Sequence, residues 1–107
     1  MTMAWINLFL AGILEIAWAI SLKYTDGFSK PWPTALTIAG MAASFFFLAQ
    51  AIKVIPVGTG YAIWTGIGAV GTAILGILLF AESTSLPRLA CIGLILVGII
   101  GLKWTTP

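Results

Sequence analysis

The chain has 107 residues, 61% of them hydrophobic and 7% charged, with no histidine, one cysteine and a net charge of +2. That length fits one domain, and so little charge cannot cover a water-soluble surface, which makes the bilayer its natural solvent. The same counts exclude a nucleic-acid footprint, an internal disulfide and a cluster of metal ligands.

Four apolar runs separated by short polar linkers predict four transmembrane helices over about residues 5–22, 34–52, 58–80 and 86–102. Each is long enough to cross a ~30 Å hydrocarbon core as a helix and too long for a barrel strand. The fold class is therefore an all-α membrane protein with one four-helix domain.

The first run, Trp5 to Leu22, has no basic residues before it and no small-x-small cleavage site before "YTDGF", so it reads as a retained helix and not as a signal peptide. Glu15 interrupts it. An ionisable group in mid-membrane is by default a functional site. The bland alternative is a structural ion pair, but no basic residue lies at the centre of any of the four runs. Removing a carboxylate from water disfavours its charged form unless a proton or a cation accompanies it. Glu15 is thus a site for either, one at a time. Helical spacing places Gly12, Glu15, Trp18 and Ala19 together on one face. Gly12 clears space beside the carboxylate. Trp18 offers an indole N–H and a ring face for a cation, or serves as an interfacial belt residue.

The linker "KYTDGFSKPWP" leads to the second run, Thr34 to Ile52, which carries no charge. Ser44 either bonds its own i−4 carbonyl or serves a site. After the turn "KVIPV", the third run contains "GTGYAIWTGIGAVG". Tyr61 and Trp64 lie one turn apart and either line a cation site or belong to a belt. Gly66, Gly68 and Gly71 permit close helix contact or a bend. No Gly-Lys-Ser/Thr follows, so this is not a phosphate loop. In the fourth run, "GLILVGIIGLK" presents Gly93, Gly98 and Gly101 as a packing face. Cys91 packs as a small hydrophobe, and Lys103 snorkels to the headgroups.

Four spans put both termini on one side. Lys53 and Lys103 lie there, against Lys23, Lys30 and Arg88 opposite. Two against three scarcely selects an orientation, which is compatible with insertion both ways and an antiparallel homodimer. Four helices alone bury little more than a seam, so a two-fold dimer with two copies of Glu15 is expected, and the pair would titrate together.

These residues resemble the small multidrug resistance family, and within it the guanidinium-exporter branch, over essentially the whole chain. The likeness rests on "AGILEIAWAISLKYTDGF", "IPVGTGYAIWTGIGAVG" and "GIIGLK", with Trp18 and Lys103 marking the branch. The resemblance implies a dual-topology antiparallel dimer in a bacterial inner membrane. It implies Glu15 as the carboxylate that binds protons and substrate, with Gly12, Trp18, Ser44, Tyr61 and Trp64 around it. Gly66 and Gly68 match the helix bend tied to alternating access, Gly98 falls in the dimer contact, and Lys103 gains a role in tuning the site. The chain departs from the pattern at Gly60, where relatives often have alanine, and the expected effect is a slight loosening near Tyr61.

Guanidinium is planar and presents paired N–H groups to a carboxylate, and its flat face suits indole and phenol rings. Competition between protons and guanidinium for paired Glu15 side chains then suffices for antiport, with no cofactor. Two rivals stand beside this reading. One is a broader exporter of quaternary ammonium compounds; the other is a small channel or a structural membrane subunit. No nucleophile–base pair or metal set points to an enzyme.

Overall fold

The four apolar runs form helices because an isolated span in lipid must satisfy its backbone within itself. A computed structural model describes residues 2–106 as α1 (Thr2–Tyr24), α2 (Pro31–Ala51), α3 (Val57–Phe80) and α4 (Leu86–Thr105). All four are long and apolar enough to cross a membrane. The helices overrun the hydropathy limits at several ends, because helical hydrogen bonding continues where side chains turn polar. At the N-terminal ends of α2 and α4, Pro31 and Pro87 sit at the first and second helical positions. There a missing N–H costs nothing. At the far end of α4 the Thr105 hydroxyl donates to the Gly101 carbonyl at 2.8 Å, capping a turn that hydropathy alone does not reveal.

The helices form a row. α1 packs most extensively on α2 and next on α3, α3 carries α4, and α2 barely touches α3. The Cα trace measures 42 × 35 × 17 Å. A helix with its side chains is about 10–12 Å across, so the molecule is an open slab and not a closed bundle. Small residues let the backbones approach, as lipid-solvated packing requires. Ala4, Leu8 and Ala11 of α1 form the core with Ala51, Ile55, Ile63 and Trp64. Across the α1–α2 seam, buried Thr37 Oγ1 lies 2.8 Å from both Ser21 Oγ and the Pro33 carbonyl.

The outer helix is the least covered. No described residue of α4 is buried. Gly66 receives it: a Cβ there would stand 2.8 Å from Ile99 Cδ1. Gly98 and Gly101 face outward with nothing near them. α3 runs as unbroken α-helix through Gly66 and Gly68.

Candidate functional site

The site is built where α1 crosses α3. Gly12 is buried, and a Cβ on it would lie 2.6 Å from Ile67 Cγ2. One turn later the Glu15 side chain lies across Gly68, so that a Cβ at Gly68 would fall on the carboxylate itself. The absence of two methyl groups thus sets the helix separation and gives Glu15 its seat. Glu15 Oε1 is out of solvent contact and has no hydrogen-bond partner among the described residues. A buried acceptor in that condition is costly, and a proton or a cationic N–H relieves it.

Glu15 stands at one end of a groove of about 510 Å³ between α1 and α3. The α3 wall is a stripe of Thr65, Gly68, Thr72 and Gly76, and Tyr61 continues the same helical face. Thr72 Oγ1 is a second buried polar atom of the groove without a partner among the described residues. The opposite end of the groove carries Lys23, Phe80, Glu82 and Arg88. Arg88 Nη2 and Glu82 Oε1 form an ion pair at 2.8 Å.

Ser44 and Trp64 support the crossing. Ser44 Oγ donates to the Ala11 carbonyl at 2.6 Å and accepts the Trp64 indole N–H at 2.9 Å. The serine therefore bonds across helices and not to its own i−4 carbonyl. That bond ties α1, α2 and α3 at one point. The Trp64 ring, 6% exposed, sits with its centroid 5.6 Å from Phe45 and 5.5 Å from Tyr61. Tyr61 itself remains open.

Trp18 stands apart from the grouping expected of it. Its side chain packs on α2, where a Cβ at Gly40 would lie 2.9 Å from Trp18 Cβ. Gly12 and Glu15 meet Ile67 and Gly68 of α3 instead. The reason is helical phase: six residues at about 100° each leave Trp18 roughly 120° from Gly12. The four residues read as one face therefore divide between two neighbours. Trp18 Nε1 is buried and has no hydrogen-bond partner among the described residues.

Lys103 is placed elsewhere in the chain. Its Nζ sits 4.8 Å from the Trp5 ring centroid. Both line a second cavity of about 760 Å³, with Ile63, Ile67 and Trp104 among its walls. Helical spacing puts Ile63 and Ile67 on the face of α3 opposite Thr65 and Thr72. Gly60 is not a source of looseness: it is buried, and a Cβ there would stand 2.7 Å from Ile52 Cγ2. It allows close packing of the α2–α3 turn.

Sequence reasoning missed Thr65 and Thr72 as groove residues. Their i+4 and i+11 spacing from Tyr61 was the available signal. Nor does the sequence bring Lys23, Glu82 and Arg88 into the groove, since nothing in it folds the segment after Phe80 back over α3. Among the described residues no three His, Cys, Asp or Glu side chains cluster as a metal site.

Residues 3–95 match the family described as Small Multidrug Resistance protein. Among curated proteins the chain is 63% identical to a Yersinia pseudotuberculosis protein named "Guanidinium exporter", over 94% of this chain and 97% of that one. It is 58% identical to a Citrobacter freundii protein of the same name, over 97% of this chain and 99% of that one. A Salmonella typhimurium protein of that name is 59% identical, over 94% and 96% of the two chains.

Proposed function

The chain belongs to the small multidrug resistance family, and from that premise we propose that this multi-pass membrane protein exports guanidinium in exchange for protons. The observation that carries the reading is Glu15: a mid-span carboxylate with a buried, unbonded oxygen, opening on a groove. The names of its relatives supply the cation's identity.

A protonated Glu15 carries no net charge. Guanidinium takes the same oxygens with parallel N–H bonds once that proton leaves, so the two ligands exclude each other. Tyr61 offers an open ring face to the planar cation, and the buried Trp64 supports the site by packing against Tyr61. Ser44 fixes Trp64, and Gly12 fixes the spacing of α1 and α3. Trp18 supports the site from the α2 side, where its packing at Gly40 fixes α1 behind the carboxylate. Lys103 tunes the field of the site from the Trp5 side. Exposing the site to one side of the membrane at a time converts this competition into antiport, and Gly66 and Gly68 are the hinge positions of α3.

The working unit is an antiparallel homodimer with one Glu15 from each subunit. Three features support it: the near-even division of basic residues between the two sides, the slab too thin to enclose a chamber, and the bare outer face of α4 with Gly98 upon it. No cofactor is required.

Glu15→Gln keeps the shape and removes the exchangeable proton. It abolishes guanidinium binding at residue 15 and the proton release that accompanies that binding, as measured by calorimetry in buffers of differing ionisation enthalpy. Glu15→Asp retains weak transport. Proton-coupled export by Glu15→Gln would refute the assignment. Competition by tetramethylammonium as strong as that by guanidinium would favour the quaternary ammonium reading, because that cation has no N–H to donate.

A further inference from the structure

The groove that holds Glu15 holds a second carboxylate built into α3 in the same manner. Gly76 lies eight residues beyond Gly68 on one face of α3, about 12 Å along the helix. A Cβ at Gly76 would fall on the Glu82 carboxylate, with Cδ 2.8 Å away, just as a Cβ at Gly68 would fall on that of Glu15. Each glutamate thus lies over a glycine of the groove wall. Only these two glutamates occur in the chain.

They differ in what they hold. Glu15 Oε1 has no partner among the described residues, whereas Glu82 Oε1 accepts from Arg88 Nη2 at 2.8 Å. Arg88 also donates from Nη1 to the Ser83 carbonyl at 2.5 Å. The resident cation on Glu82 is therefore itself a guanidinium, chemically the head group of the proposed substrate. The Arg88 and Glu82 side chains are 30% and 45% exposed, and an exposed ion pair contributes little and exchanges readily. Lys23 does not compete for the carboxylate in this arrangement, because its Nζ rests 5.0 Å from the Phe80 ring centroid.

We infer that Glu82 is an outer guanidinium-binding station at the mouth of the groove, where the incoming or departing cation displaces the Arg88 side chain and is passed to or from Glu15. Arg88 is the internal competitor that keeps the station from trapping its cargo. This rests on guanidinium being the substrate.

Glutamate labelled with 13C at Cδ gives two carboxyl signals, one for each glutamate. In the Glu15→Gln variant, the remaining signal, that of Glu82, shifts saturably with guanidinium chloride in the millimolar range and does not shift with tetramethylammonium chloride at equal ionic strength. In transport by the otherwise intact protein, Glu82→Gln raises KM about tenfold and leaves equilibrium binding at Glu15 within twofold. Arg88→Gln removes the competitor, so KM does not rise. An unmoved Glu82 signal, or equal losses in Glu82→Gln and Arg88→Gln, would overturn the station and leave the pair as a clasp of the α3–α4 connection. Absence of guanidinium transport by the unaltered protein would instead sink the substrate reading on which the station depends.

Discussion

Replacing Gly68 by alanine places a methyl group where the Glu15 carboxylate lies. The new Cβ would stand 2.7 Å from Glu15 Cγ and closer still to the carboxyl atoms. Ordinary carbon contacts are about 3.5–4.0 Å, so the head group must retreat by about 1 Å. Glu15 can do so by turning its own side chain, which costs of order 1 kcal/mol, and the backbone need not move. Folding is therefore nearly untouched, while a binding group misplaced by about 1 Å loses up to a hundredfold in function. Gly12→Ala is the informative contrast. Its Cβ would stand 2.6 Å from Cγ2 and 2.8 Å from Cβ of Ile67, a β-branched side chain with little freedom at χ1. There α1 and α3 must part, at a cost of about 1–3 kcal/mol. Thermal unfolding in detergent, read beside guanidinium binding, separates the two. Gly68→Ala keeps Tm within a degree or two and weakens binding at least tenfold; Gly12→Ala lowers Tm by several degrees. If Gly68→Ala melts early and binds normally, the carboxylate does not rest where the structure puts it.

Acidification weakens guanidinium binding, because the proton and the cation take the same carboxylate. With one proton displaced per cation, Kd rises up to tenfold for each pH unit below the titration range and is flat above it; a Kd independent of pH between 5 and 9 would separate the two ligands. Ser44→Ala leaves the Trp64 indole N–H buried without its acceptor, and costs about 1–3 kcal/mol of stability. The loss shows as a lower Tm with a changed Trp64 emission; an unaltered Tm would mean the N–H has another partner.

Much of the fold can be read from the sequence, because a lipid-solvated chain signals itself by unbroken apolar length. Glu15 stands out for a related reason: in a span without basic residues, one carboxylate has no structural excuse. Other features depend on geometry that spacing does not carry. The i, i+3 rule is sound over one step, which joins Gly12 to Glu15, but phase drift carries Trp18 round to Gly40 of α2. Ser44 offers a local reading and a site reading, and what separates them is a bond between helices that needs α1, α2 and α3 in register. Gly76 carries no signal of its own in the sequence of α3. Its meaning appears only when the linker after Phe80 returns and lays Glu82 upon it. The slab form was equally hidden, since hydropathy reports that α4 lies in lipid and not that its backbone packs on α3 alone.

The central claim is that guanidinium and protons exchange through Glu15. Protein reconstituted into liposomes with an imposed pH gradient, in the absence of any guanidinium gradient, tests it most directly. The account predicts guanidinium accumulation on the acidic side, reversed by inverting the gradient and lost in Glu15→Gln. Guanidinium flux that ignores the pH gradient, or that persists in Glu15→Gln, would contradict it.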